Sequence, residues 1–183
     1  MSARSGPSEE ERFRENLTGF INLIQELITE CRSQGKTDID PTLITIGFAI
    51  MGTYDSQDLI KNFIQYSYPY WDQISRREEA FFRDNCANIF GEFPMLDMKK
   101  VNAFKELFNE EGEPILSDDD KTMLWEYFDS FIKISIKYIH TNREPTIQDL
   151  GKGDGPKKLY SKSVFPIVKV GKYATMWNVE LKW

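Results

Sequence analysis

The sequence predicts a mainly α-helical body of five to six helices with a C-terminal β-hairpin extension, an α+β chain, and three observations lead there. Apolar residues recur at three- and four-residue spacing through most of the first 140 positions, as amphipathic helices require. Capping residues and helix breakers stand at the ends of those stretches. After His140 the character changes: eight basic against four acidic residues give the remaining segment +4, and it ends in alternating apolar and polar positions. With −6 on the whole chain, residues 1–140 carry −10. The expected organisation is a disordered N-terminus at 1–7, a helical body at 8–140, a basic flexible linker at 141–163 and a hairpin at 164–183.

The first helix opens at Pro7-Ser8-Glu9-Glu10-Glu11, with Ser8 as N-cap, Glu11 as its reciprocal partner and acidic residues facing the positive end of the helix dipole. Phe13, Leu17, Phe20, Ile21, Ile24, Leu27, Ile28 and Cys31 form one apolar face, and Gly35 ends the helix. Asp40-Pro41 supplies the N-cap and first position of a second helix. Leu43, Ile44, Ile46, Phe48, Ile50 and Met51 make that helix apolar nearly all round, so it is expected to be central and buried. Asp55 or Ser56 caps a third helix carrying Leu59, Ile60, Phe63, Ile64 and Tyr66. It must end by Tyr68, because the residue before Pro69 is pushed out of the helical region.

Residues 78–90 and 97–108 read as two further helices separated by the Gly91 to Pro94 break, with the acidic loop 110–114 as solvated surface. The last helix begins at Ser117, with Asp120 as its capping-box partner and Asp118 and Asp119 in the first turn. Trp125, Phe128, Phe131, Ile132, Ile136 and Ile139 face inward, while Glu126, Asp129, Ser130, Lys133 and Lys137 make one narrow polar stripe in which Asp129 and Lys133 can pair. Beyond it, Asn142-Arg143-Glu144-Pro145 and the run 151–158 have no period and few apolar residues. Gly171-Lys172 then suits a type II′ turn, which sets Val170 opposite Tyr173, Val168 opposite Thr175, Pro166 opposite Trp177 and Val164 opposite Val179 on one apolar face. Leu181 and Trp183 extend this face, and Lys169, Asn178, Glu180 and Lys182 lie on the other. A hairpin alone is marginal in water, so this one must dock on the body or on a partner.

Composition narrows the function classes. A hydrophobic fraction of 40% with 14% aromatics excludes a mostly disordered chain. The most apolar stretch, 43–52, is ten residues, about half of what spans a bilayer, so no membrane span is expected. The polar start does not read as a signal peptide, and the expected setting is intracellular, cytoplasmic and reducing. Cys31 and Cys86 read as small core residues rather than a disulfide or metal pair.

Catalytic chemistry has little to work with. His140 is the sole histidine, placed where a helix C-terminus stabilises a polar or cationic side chain. Asp118-Asp119-Asp120 lacks the spacing of a calcium loop and fits helix capping. Gly151-Lys152-Gly153-Asp154-Gly155 lacks the order of a phosphate-binding loop and has no strand before it. No catalytic residue, metal site or cofactor is therefore expected, and the chain reads as a non-enzymatic structural or protein-interaction module. Its contact element is the hairpin, anchored by Trp177 and Trp183, aided by Tyr173, and steered toward an acidic surface by Lys157, Lys158 and Lys162. The expected partner is another protein or a second copy of the chain. The alternative is a nucleic-acid-associated protein whose basic tail neutralises phosphates.

The elements YSYPYWDQISRREEAFFRDN (66–85) and LWEYFDSFIKISIKYIH (124–140), with the aromatic basic C-terminus, resemble helical proteins of unknown function encoded by nucleocytoplasmic large DNA viruses. The resemblance is one of texture over roughly residues 13–183 and carries no catalytic motif. It implies cytoplasmic synthesis and a place in the virion, as a minor capsid or core-associated protein.

Overall fold

The computed structural model of the chain describes residues 6–90, 105–108 and 115–141. These are mainly helical and contain no strand. The expected linker and hairpin, all but four residues of the 97–108 helix, the break at 91–94 and the loop 110–114 lie outside the described residues.

Helix α1 (Glu9–Ser33) starts as its cap requires: the Glu11 N–H donates to Ser8 Oγ at 3.2 Å and the Ser8 N–H donates to Glu11 Oε2 at 2.8 Å. It ends in a left-handed cap. Gly35 has φ +70°, its N–H donates to the Arg32 carbonyl, and the Lys36 N–H donates to the Cys31 carbonyl at 2.9 Å. Asp40 turns the chain into α2 (Thr42–Met51) by accepting the Thr42 N–H on its carboxylate at 2.9 Å and the Leu43 N–H on its carbonyl. Asp55 caps α3 (Ser56–Ser67) through the Gln57 N–H at 2.8 Å.

The corner at Pro69 departs from expectation. Helix α3 does end at Ser67, but Tyr68 keeps right-handed helical angles, φ −51° and ψ −43°, and opens a 3-10 turn, Tyr68–Tyr70, that runs into α4 (Trp71–Ser75). Pro69 stands in the first turn of that new helical segment, where a missing N–H costs nothing. A buried relay holds the corner: Trp71 Nε1–H donates to Ser67 Oγ at 2.9 Å, and that hydroxyl donates to the Phe63 carbonyl at 2.6 Å. Helix α4 closes in a second left-handed cap at Arg77, φ +54°, with the Arg77 N–H on the Ile74 carbonyl and the Glu78 N–H on the Gln73 carbonyl. Then follow α5 (Glu79–Phe90) and α6 (Asp118–Thr141). At the start of α6 Ser117 and Asp120 exchange backbone N–H bonds at 2.9 and 3.2 Å.

Helices α1 and α6 run antiparallel. Cys31 meets Ile115 at one end, with the thiol donating to the carbonyl at 3.2 Å, and the Phe13 ring meets Phe131 at 5.1 Å toward the other. Gly19 permits the close approach between them, because a Cβ there would stand 2.7 Å from the Tyr127 hydroxyl. Helix α3 packs on the same pair, and rings fill the space: Phe63 lies 5.3 Å from Phe131, and Phe128 lies 5.4 Å from Phe20 and 4.9 Å from Phe82. The six α6 residues expected inward, Trp125, Phe128, Phe131, Ile132, Ile136 and Ile139, are all buried.

Helix α2 corrects the expectation that it is central. It lies mainly against α1, Ile46 is 48% exposed, and Thr42, Thr45 and Ala49 are exposed with it. A ten-residue helix apolar all round has no preferred inward face, and α1, α3 and α6 have already closed the core around their rings. Whichever side of α2 meets α1, the opposite side faces outward.

Candidate interaction surface

Helix α2 runs back along α1, as two contacts fix. The Gln25 side-chain amide donates to Thr45 Oγ1 at 3.2 Å, and at the far end Arg14 donates through Nε to Ser56 Oγ at 2.6 Å and through Nη2 to the Tyr54 carbonyl. The outward residues Thr42, Thr45, Ile46 and Ala49 fall at helical spacing and share one face. No charged residue occurs anywhere in α2, alone among the described α-helices. Beside this neutral stripe, the outer side of α1 carries a shallow groove of about 490 Å³ lined by Asn22, Gln25, Glu26, Thr29, Glu30 and Ser33. Glu26 and Glu30 are exposed there, and Asp38, Asp40 and Asp55 are exposed at the two ends of α2. Basic residues also stand nearby: Arg32 and Lys36 at one end, with Arg32 3.6 Å from Asp40, and Arg14 at the other. The Thr42 hydroxyl and backbone N–H, with Arg32 in support, hold the Asp40 carboxyl below its ordinary range. The surface is thus an uncharged ridge of two threonines, an isoleucine and an alanine with acidic residues at its border.

Elsewhere the polar groups serve the fold. Lys121 Nζ reaches Glu79 at 2.8 Å and joins α6 to α5, while Arg77 reaches Asp129 at 3.5 Å and ties the α4 cap to α6. Burial raises the Cys31 thiol pKa and pushes the Tyr68 phenol up to about 12. The buried Trp125 Nε1 and Ser135 Oγ have no hydrogen-bond partner among the described residues, but ten positions along α6 set them about 15 Å apart along the axis. They do not converge on a site. Asp118, Asp119 and Asp120 form the first turn of α6, and Asp120 completes its cap. Among the described residues no group of three His, Cys, Asp or Glu side chains could hold a metal ion, and no helix is long and apolar enough to cross a membrane.

The six contact residues expected from sequence, Tyr173, Trp177, Trp183, Lys157, Lys158 and Lys162, all lie outside the described residues, as do Gly151, Gly153 and Gly155. His140 is the penultimate residue of α6. The charge-free composition of α2 is visible in the sequence and predicts burial; the structure turns one side of the helix outward instead. No protein-family model matches the chain, nor does any curated protein or solved structure.

Proposed function

We propose that this chain is a non-enzymatic protein-interaction module: a rigid helical body that presents an apolar, acid-bordered surface at α2 and carries a basic, aromatic contact element at 164–183. The observation that carries this reading is the 48% exposure of Ile46 within a helix that has no charge; Met123, the other exposed large hydrophobic among the described residues, stands in a helix with a charged stripe. Trp177, Trp183 and Tyr173 are the expected anchors of the contact, since large aromatic side chains dominate binding energy at protein interfaces. Lys157, Lys158 and Lys162 supply attraction at longer range. The likeness to helical proteins of large DNA viruses extends the proposal to an intracellular protein that enters the virion as a minor capsid or core component.

A second reading follows from the +4 charge of the tail, which suits a nucleic acid. Affinity capture with the full chain and with a Trp177→Ala/Trp183→Ala variant separates the two. A protein held by the parent through high salt and lost from the variant is the expected result. Retention of nucleic acid that collapses between about 50 and 200 mM salt would favour the second reading. Retention of neither would remove both.

A further inference from the structure

We propose that the outward face of α2, with the acidic groove of α1 beside it, is the docking site of this chain's own C-terminal segment, residues 164–183. The inference rests on reading that segment as the contact element, and adds where its apolar side goes when no partner is present.

The path of the chain favours this occupant. Because α6 is antiparallel to α1, Thr141 leaves the body beyond the Phe13 end of α1. The C-terminal end of α2 lies at that same end, fixed by Arg14 to Tyr54 and Ser56. Ile46 stands near the level of Gln25, through its neighbour Thr45. At 1.5 Å per helical residue, the distance from Thr141 back to Ile46 along the helix axes is about 33 Å. The 22 residues of 142–163, rich in Gly, Lys and Asp, have an expected end-to-end distance of about 26 Å as a flexible chain and reach about 70 Å when extended. The tether therefore matches the span, and the effective concentration of the tail at α2 is on the order of 1 mM. A contact with a dissociation constant of about 0.1 mM would then be about nine-tenths closed within one chain. The same contact between two copies at micromolar concentration would be almost entirely open, so the tail is favoured over a second copy.

Chemistry agrees with geometry. Read as a hairpin, the segment would set Val168, Val170, Tyr173, Trp177, Val179 and Leu181 on one face, and Lys169, Asn178, Glu180 and Lys182 on the other. The α2 surface offers Ile46 and Ala49 in a strip without charge, bordered by Glu26, Glu30, Asp38, Asp40 and Asp55. The apolar face would lie on the uncharged ridge, and the net positive charge of the segment would be drawn to the bordering carboxylates. Residues 1–140 carry −10, and residues 141–183 carry +4, of which the docking segment 164–183 holds +2, so the two parts attract one another.

Hydrogen–deuterium exchange on the full chain tests this, comparing the parent with Ile46→Asp and with Trp177→Asp. The parent should show protected amides within 164–183, and Ile46→Asp should speed their exchange by about tenfold or more while α1 and α6 stay as protected as before. Trp177→Asp, which leaves the body untouched, should in turn speed exchange in α2. This reciprocal arm decides the matter if Ile46→Asp fails to fold. Tail amides that exchange at the rate of an unstructured peptide in the parent, or that ignore both substitutions, would overturn the proposal. Protection that grows with protein concentration would assign the face to a second copy and overturn it as well. A closed tail in a chain that captures no partner would uphold this inference and remove the interaction reading; an open tail that captures one would do the reverse.

Discussion

Helices α6 and α2 are both rich in aliphatic side chains, yet one is the axis of the body and the other lies on its flank. In α6 the apolar residues leave a polar stripe free, so the helix has one preferred orientation: Trp125, Phe128, Phe131, Ile132, Ile136 and Ile139 go in, Tyr127 is half-buried, and Glu126 and Lys133 stay out. In α2 the apolar residues surround the helix, and among the described residues its main neighbour is α1, which covers one side. Amphipathicity, rather than apolar content, determines which helix becomes central. An apolar helix without direction either waits for more neighbours or becomes a surface.

Truncation at the axis should show the largest effect. Phe128 packs against Phe20, Phe82, Trp125 and Phe131 at ring distances from 4.9 to 6.2 Å, so Phe128→Ala is expected to cost about 3–5 kcal/mol in urea denaturation. A loss below about 1 kcal/mol would mean that the α6 core is not shared among these rings. The helix ends come next. Ser117→Ala removes the hydroxyl that accepts the Asp120 N–H and should cost about 1 kcal/mol, and Gly35→Ala should cost about as much by placing a Cβ at φ +70°. Both are read by thermal melting against the parent.

These local devices are also where the sequence was most legible. Ser8 with Glu11, Gly35, Asp55, and Ser117 with Asp120 act within a few residues, so the caps they announce are the caps that form. Tyr68 before Pro69 was misjudged, because the local preference against helix yields to the buried Trp71–Ser67–Phe63 relay. Arg77 gave no sign of its positive φ, which the α4 cap and the Asp129 pairing hold in place. The position of α2 was hidden for a different reason: the choice among its faces is made by neighbours far away in the chain. The candidate surface was legible in composition, as a helix without charge, and illegible in location. The hairpin residues proposed to meet it lie outside the described residues.

A pH titration sharpens the account of the corner. Burial raises the Tyr68 phenol to about 12 in the folded chain against an ordinary value near 10, so the folded state holds that proton more tightly. Stability from this group is complete below pH 10 and is lost as pH climbs toward 12. The parent should therefore lose more stability than Tyr68→Phe over that window. Equal losses would place the phenol in solvent.

The comparison between α6 and α2 is tested most directly by one substitution made at matched sites, Ile132→Ala and Ile46→Ala, followed by urea denaturation of the full chain. Ile132 is fully buried and Ile46 is 48% exposed. Ile132→Ala should lose about 2–5 kcal/mol, and Ile46→Ala less than about 1 kcal/mol. Equal losses at the two positions would contradict the account, because α2 would then be as deeply buried as the axis itself.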